Sequence, residues 1–535
     1  MRRTPFRVVD TGLNRAELNI AMDRRWLVAH AQGERDNLLR FYRSTPSAWI
    51  GLHQWPEREL RLHYCHRKGI DVVRRLTGGG TLYVDPQQLG FSLILKWSER
   101  LAELGEAGVI QRGCEAVVAA LRGLGIAAVF KAPNDIEVAG RKLASLYASR
   151  DRGSFLLQAT LLMTADITRM QAALRLPSEP AANSQGPRAA AERLTALDQV
   201  CSRAPTPARL RKALTESFAA QFNLRAESST KTVYAQLRET SADELWPAGL
   251  NQPIEISTAT TDWRALAETM SELAEALWTS PAGLLRARLR WDALRGVPNW
   301  LEIGGAVQVQ PLDLFARLAQ GLAGVRRDEL AAKLQRLCAS AHAHLVGFTQ
   351  DDLLAVLTRV WDRAEQQRDF GLSMEQSNRL TVVNAPSQAA NVVSLMQQAD
   401  TLLLPYCARP LECRDKSLDE CRDCTGCEVG GACRTAASQA LNIRELKRYA
   451  ELDGLLTQLR EDGSTGIVGM TCQTFFIKHS DAFTRAGLPV LLVDLGGTTC
   501  YELQQDAAGY SGRFPHKTML DAHVLEKLVR VRGVG

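Results

Sequence analysis

Residues 74–85 read Arg-Arg-Leu-Thr-Gly-Gly-Gly-Thr-Leu-Tyr-Val-Asp, and three consecutive glycines between two apolar, β-rich runs leave a chain few ways to continue. The runs Asp71–Leu76 and Thr81–Val84 predict strands. No helical pattern follows the glycines. That excludes the dinucleotide-binding and P-loop turns, which set a phosphate on a helix N-terminus. The segment predicts a strand–loop–strand whose bare amides approach a ligand closely, with Arg74, Arg75 and Thr77 beside them. A tight hairpin with surface arginines is the competing reading.

A second segment follows about fifty residues on: Pro133-Asn134-Asp135-Ile136-Glu137-Val138-Ala139-Gly140-Arg141-Lys142. A strand over Ala127–Phe130 leads into Asn134-Asp135, a second strand (Ile136–Val138) and a turn at Ala139-Gly140; Lys142 starts a third. An acidic residue and a lysine then face one another across a hairpin. That arrangement suits Mg²⁺ and a phosphoryl or carboxylate oxygen.

Both segments, in this order and spacing, resemble the lipoate–protein ligase family within the wider biotin/lipoate ligase fold. The resemblance extends over roughly residues 5–365. Asn19-Ile20-Ala21-Met22-Asp23 resembles the family's opening helix, and Ser47-Ala48-Trp49-Ile50-Gly51 the strand and glycine before the substrate loop. Asp151-Arg152-Gly153 with Ala159-Thr160-Leu161-Leu162 and Asp166 resembles the strand that closes the acyl tunnel, and Leu301-Glu302-Ile303-Gly304-Gly305 with Pro311 the small accessory domain. Two departures stand out. The family's Ser-Gly-Ser-Ala after the lysine is here Leu143-Ala144-Ser145-Leu146-Tyr147, and its His-His-Gly is Leu157-Gln158-Ala159. Larger side chains thus stand where relatives keep glycine, so the acid itself is less defined than the nucleotide side.

The resemblance implies an α+β ligase domain with a mixed or antiparallel sheet, ATP and Mg²⁺ as cofactors, and a lipoate-like acid (lipoate or octanoate) with a lipoyl-domain acceptor protein as partners. It implies Lys142 as the catalytic residue that holds the acid oxygen. Arg75, Thr77, Gly78, Gly79 and Gly80 would cradle the phosphate, and Asn134 and Asp135 would orient the nucleotide, Asp135 through Mg²⁺. The rivals are an acyltransferase using a cysteine thioester, a non-catalytic lipoyl-binding scaffold, and biotin ligation suggested by Lys131-Ala132-Pro133-Asn134-Asp135. The acyltransferase needs a nucleophilic cysteine in the catalytic domain, yet Cys114 is the only one between 66 and 200 and lies in a helical pattern.

At 535 residues the chain exceeds one core, so three domains are expected: 1–205 catalytic, 206–368 mostly helical linker and accessory domain, and 369–535 a cysteine-rich α/β module. Helical patterns cover Leu13–Ala31, Val109–Leu124, Ala208–Phe222, Ala265–Leu277, Leu312–Leu322, Arg327–Ala341 and Thr349–Gln366. The Pro/Ala/Ser/Gly-rich stretch Pro177–Pro187 predicts a loop, and a linker is expected at Asp369–Arg379. A net charge of +6 without a basic tract gives nucleic acid no support. The N-terminus has no apolar h-region and no 18-residue apolar run occurs, so a cytoplasmic chain without membrane spans is expected.

Eight of the twelve cysteines lie between 407 and 500, and in a cytoplasmic chain that density argues for metal over disulfides. Cys421-x2-Cys424-x2-Cys427-x5-Cys433 in a glycine-containing loop resembles ferredoxin spacing, which implies a [4Fe–4S] cluster, with Zn²⁺ as the alternative. Three apolar runs end at Cys407, Cys472 and, past two glycines, Cys500. Helical segments (Ile443–Leu459, Phe475–Ala486) separate the runs and predict a parallel sheet, with these cysteines beyond its carboxyl ends and Cys413 able to reach the same edge. The module resembles a cysteine-rich prokaryotic domain family of unassigned function. Cys65, Cys114, Cys201 and Cys338 are isolated and read as inert thiols.

Overall fold

The computed structural model describes residues 3–164, 166–174, 194–228, 233, 272–384, 392–410, 413, 421, 424–497, 499–500, 505–511, 513–514 and 518–533. The expected loop Pro177–Pro187 lies outside them. Strands and helices mix throughout, as expected for this fold class.

Eleven strands build the N-terminal region: β1 (Thr4–Asn14), β2 (Asn37–Ser44), β3 (Ser47–Ile50), β4 (Asp71–Arg74), β5 (Leu82–Val84), β6 (Gln88–Lys96), β7 (Ala128–Lys131), β8 (Asp135–Val138), β9 (Arg141–Asp151), β10 (Ser154–Leu162) and β11 (Leu224–Ser228). Eight of them form one mixed sheet in the order β11-β1-β2-β6-β10-β9-β8-β7. The alternation of side chains along each strand gives this sheet two different faces. Leu39, Phe41, Phe91, Leu93, Phe155, Leu157, Leu146 and Ile136 point to one side. There they meet Val109, Ile110, Val117 and Leu121 of helix Glu99–Gly123 and Leu210, Leu214 and Phe218 of helix Pro207–Gln221. The opposite face packs Leu38, Tyr42, Ile94 and Leu156 against Ile20 and Trp26 of helix Ala16–Ala31, and against Trp49, Val73 and Val84 of a small sheet ordered β4-β3-β5. The two strands flanking the glycines therefore do not pair with each other. β4 runs parallel and β5 antiparallel to β3, which lies between them, so the simple hairpin reading is excluded.

A three-stranded antiparallel sheet follows, of β12 (Ala274–Ser280), β13 (Gly283–Asp292) and β14 (Val297–Gly305), with the short pair β15 (Gln308–Gln310) and β16 (His344–Val346). Helices Leu314–Leu322, Leu330–Ser340 and Gln350–Phe370 close its core around Leu285, Leu289, Phe315 and Trp361. Where a helix is expected over Ala265–Leu277, the described part is strand β12. Its alternate residues Ala274 and Ala276 are buried, and small residues there satisfy either periodicity. The linker expected at Asp369–Arg379 is also corrected. Gly371 ends the preceding helix in the left-handed conformation, and a Ser373–Gln376 capping box starts the short helix Met374–Asn378.

The C-terminal region holds a five-stranded sheet in the order β17-β21-β20-β18-β19: β17 (Leu380–Val383), β18 (Thr401–Pro405), β19 (Asn442–Leu446), β20 (Ile467–Thr471) and β21 (Val490–Asp494). All neighbours are parallel except the edge pair β17–β21. The expected helix Ile443–Leu459 splits into β19 and helix Leu452–Glu461. Among the described residues no helix is long and apolar enough to cross a membrane.

Candidate functional site

The site grows from the sheet face that looks toward helix Ala16–Ala31. Register places Arg40 (β2), Ser92 (β6), Gln158 (β10) and Tyr147 (β9) side by side in one row, and Thr160, Ser145 and Asp135 in the next. Lys142 joins them through an irregularity. Ile136 pairs with Ala144 but Glu137 pairs with Lys142, so Leu143 is an extra residue on β9. A bulge resets the alternation, and Lys142 lands on the same face as Ser145 and Tyr147. Asp135 then receives both: Lys142 Nζ stands 2.7 Å from Oδ2, and Ser145 Oγ donates to Oδ1 at 2.6 Å. Lys142 is partly exposed while Asp135 is more enclosed. Asn134 is fixed beneath them, its Nδ2 donating to the Leu146 carbonyl at 2.8 Å and its own carbonyl accepting Leu146 N–H at 2.9 Å.

At the other end of this row lies the glycine loop. Gly79 has φ +86°, and a Cβ there would stand 2.2 Å from the Tyr147 ring; a Cβ on Gly51 would stand 2.0 Å from Gly79's carbonyl oxygen. The loop is thus pressed between β9 and the end of β3 at a spacing only bare backbone allows. Arg75 is buried beneath it. Its Nε donates to Thr77 Oγ1 (3.0 Å), Nη1 to Trp49 O (2.9 Å), and Nη2 to the carbonyls of Gly78 and Gly80 (2.7 Å each), with Tyr147 stacked 4.1 Å away. Arg75 therefore shapes the loop from below and presents no open donor to its outer face. Burial pulls this guanidinium down to about 10, still charged at neutral pH. Arg74 does the same for the preceding turn, donating to the carbonyls of Gly51, Leu52 and Gln54.

The sequence reading missed a buried polar network that ties this loop to the opening helix. Thr77 Oγ1 donates to Gln158 Oε1 (3.2 Å), and Gln158 Nε2 donates to Asp23 Oδ2 (2.7 Å). Asp23 also pairs with Arg40 at 2.7 Å, both side chains inaccessible, and Arg40 reaches Thr11 and Asn19 as well. The available signal was Arg40 itself, a charge inside the apolar run Leu38-Leu39-Arg40-Phe41-Tyr42. The accessory sheet closes the outer side: Gly79 N–H donates to Val307 O at 2.9 Å, Gly305 N–H to His53 O at 2.9 Å, and Ala148 N–H to Gln308 Oε1 at 2.6 Å.

Seven of the eight C-terminal cysteines fall into two sets, and none of the twelve in the chain forms a disulfide. Cys407, Cys472 and Cys500 follow β18, β20 and β21 and line one cavity at the carboxyl edge of the sheet. The quartet lies around the start of helix Glu428–Ser438. Cys427 is its N-cap residue and Cys433 is buried on the helix itself, so the quartet is not confined to a loop. Burial, with Cys421 and Cys427 nearby, pushes the Cys433 thiol up to about 12. Cys413 lies in a short turn, its N–H donating to Pro410 O and its carbonyl accepting from Arg409 Nη1. Among the described residues no three His, Cys, Asp or Glu side chains come together to hold a metal ion, and both Asp135 oxygens are already engaged. As arranged, neither the quartet nor Asp135 presents a fitting ligand set for Fe–S, Zn²⁺ or Mg²⁺.

Sheet order, glycine loop and lysine–aspartate hairpin together define the lipoate/biotin ligase class of fold. The chain belongs to the lipoyl protein ligase A/B catalytic domain family, whose model matches residues 15–219. It is 30% identical over 194 residues to octanoyltransferase LipM of Moorella thermoacetica, covering 32% of this chain and 71% of that protein. It is 33% identical over 168 residues to lipoate-protein ligase LplJ of Bacillus subtilis, covering 31% of this chain and 48% of that protein. A crystal structure of lipoate-protein ligase A bound with ATP aligns at 23% identity and TM-score 0.37, over 46% of this chain and 97% of the other. This chain thus spans about half the length of the B. subtilis ligase.

Proposed function

We propose that this chain activates lipoate, or a related acid such as octanoate, with ATP and passes the acyl group to a lysine of a lipoyl-type carrier domain. One observation carries the reading: the bulge at Leu143 sets Lys142 and Asp135 on the sheet face that also holds Ser145, Tyr147 and Gln158 under the glycine loop. Five steps along β9, from Lys142 to Tyr147, lie between the lysine and the loop contact, roughly 15 Å of strand, which suits an elongated acyl-adenylate. A carboxylate oxygen attacks the α-phosphorus of ATP and the bond to pyrophosphate breaks. The Lys142 ammonium neutralises charge developing on the acid and phosphoryl oxygens. The acceptor amine then attacks the mixed anhydride and AMP leaves. Arg75 and Thr77 act by holding the loop; Gly78, Gly79 and Gly80 supply its close approach, and Asn134 and Asp135 fix the hairpin.

Similarity to LipM supports a second reading, octanoyl transfer through a cysteine thioester. Two of the three cysteines within the matched region weigh against it; the third, Cys201, is partly exposed at the end of the short helix Leu197–Val200. Cys65 and Cys114 are fully buried; burial pushes the first thiol up to about 11 and raises the second well above its usual range, and Cys114 lies against the Asn134 carbonyl. Incubating the full chain with ATP and an acid panel, and following pyrophosphate release and acylation of a lipoyl domain, tests the proposal. Acyl transfer from an octanoyl carrier without ATP, with no pyrophosphate released from any acid, would replace it by the transferase.

For the quartet we propose an iron–sulfur cluster, with zinc as the alternative, on the strength of the Cys421-x2-Cys424-x2-Cys427-x5-Cys433 spacing alone; binding would have to draw together side chains that are not gathered in the present arrangement. Iron and zinc analysis of anaerobically purified protein decides between them, and protein free of both metals would remove the proposal.

A further inference from the structure

The cavity at the carboxyl edge of the C-terminal sheet carries chemistry that neither the ligase reading nor the quartet absorbs. Its volume is about 50 Å³, and its lining is mostly apolar: Leu404, Met470, Phe475, Phe483 and Leu495 among others. Into it come three thiols from three different strand ends, together with two cations, Lys447 and Arg448, that follow β19. Cys472 caps the segment Gln473–Ala486, whose helix is broken by a kink at His479, and its Sγ accepts the N–H of Phe475 at 3.4 Å. A thiolate there would keep that N–H bond, and Lys447 and Arg448 border the same cavity. Cys407 is half-buried, whereas Cys472 and Cys500 are buried. Burial pushes Cys472 up to about 12, which keeps it a thiol while the more open Cys407 reacts first. A metal site would gather its ligands, and these three are not gathered as one. A structural role alone gives no reason for thiols, cations and an apolar hollow to coincide at the edge where parallel sheets bind ligands.

We infer that this cavity is a thiol–disulfide exchange site, in which Cys407 and Cys472 reduce a small organic disulfide borne on an apolar chain. The Cys407 thiolate attacks one sulfur of the disulfide; a protein–substrate S–S bond forms, and the freed substrate sulfur leaves as a thiolate. Cys472, having lost its proton, attacks Cys407 Sγ; the mixed disulfide breaks and the second substrate sulfur leaves. Two electrons pass from the two protein thiols to the substrate, and the two protons they released end on its sulfurs. Lys447 and Arg448 stabilise the leaving thiolates, and the apolar wall admits the chain. The dithiolane of a lipoyl group belongs to this class; naming it rests on the proposed function, whereas the exchange site does not.

The test uses reduced, desalted full-length protein with lipoamide as probe, under argon, followed by alkylation and peptide mass spectrometry. The expected result is a Cys407–Cys472 disulfide with two new thiols per lipoamide consumed. Cys407→Ser should lower the rate at least a hundredfold, and Cys472→Ser should trap a mixed disulfide at Cys407. Cys421→Ser and Cys433→Ser should leave exchange unchanged. Cys407→Ala, with circular dichroism to confirm folding, separates loss of the thiol from loss of the fold. Lys142→Ala should retain exchange, so that failure of the ligase reading leaves this one standing. Lipoamide that leaves both thiols unreacted in the wild-type chain would overturn the inference. So would exchange that survives Cys407→Ser, or a stoichiometric metal lost in Cys407→Ser and Cys472→Ser.

Discussion

The Tyr147 ring lies against Gly79 so closely that a single added carbon on the glycine would stand 2.2 Å from it. The same ring stacks on Arg75 at 4.1 Å, so one side chain props the glycine loop and covers the cation that shapes it. Tyr147→Ala should destabilise the protein by about 3 kcal/mol, through the void and the lost stacking. It should also broaden selectivity among acids, raising kcat/KM for bulkier chains relative to octanoate. Urea midpoints and an acid panel measure the two effects; an unchanged rank order of acids would show that Tyr147 supports the loop without bordering the acyl chain.

Lys142 and Asp135 form a half-exposed pair whose worth to folding is small. Lys142→Ala should therefore leave the melting temperature within a few degrees of wild type while abolishing acyl-adenylate formation. A loss on the order of 3 kcal/mol or more in transition-state stabilisation amounts to a hundredfold or greater fall in kcat/KM. Wild-type pyrophosphate release by a folded Lys142→Ala would remove the lysine from the chemistry.

Beneath the loop, the inaccessible pair Asp23–Arg40 behaves differently. Arg40→Met strands a buried carboxylate and should destabilise by about 3–5 kcal/mol, whereas Arg40→Met with Asp23→Leu should recover much of the loss. Chemical denaturation of wild type, Arg40→Met, Asp23→Leu and the double variant gives the coupling directly; a double variant no more stable than Arg40→Met would show that Ser92 and Gln158 already satisfy the lone carboxylate.

His53 sits between the loop and the accessory sheet, edge-on to Phe315 at 5.0 Å. Desolvation, aided by Arg74, pulls it from 6.5 down to about 3. Below pH 6.5 the unfolded chain takes up a proton that the folded one refuses, so stability present above that pH is lost as the pH falls toward 3. His53→Asn should shrink the loss between pH 7 and pH 5 by on the order of 1 kcal/mol. Urea midpoints at both pH values check this, and an unchanged difference would assign the acid sensitivity to other groups.

The hairpin Pro133–Lys142 could be read from the chain because local turn chemistry and alternation agree there. What stayed hidden was the arginines' direction. Nothing in Arg74-Arg75 distinguishes donors facing a ligand from donors folded back onto carbonyls of residues 49–54 and 78–80, since those acceptors arrive through tertiary packing. Strand β19 was hidden for another reason: Ile443 and Leu446 stand three apart, a spacing that a helix and a short strand ending in a turn both accommodate. The convergence of Cys407, Cys472 and Cys500 was readable because parallel strands carry their ends to one edge.

The extra residue at Leu143 makes this hairpin a counting device. Three steps separate Lys142 from Ser145, and strict alternation over three steps would turn the lysine toward Ile136 and the helices behind the sheet; removing one residue would dissolve the bulge and leave the lysine on the face of Asp135. A two-residue extension of the turn at Ala139-Gly140 would leave that arithmetic untouched. Sequence drift in this stretch is therefore constrained by odd and even as much as by chemistry: the turn can lengthen and the strand can give up its extra step, but it cannot straighten with that step kept.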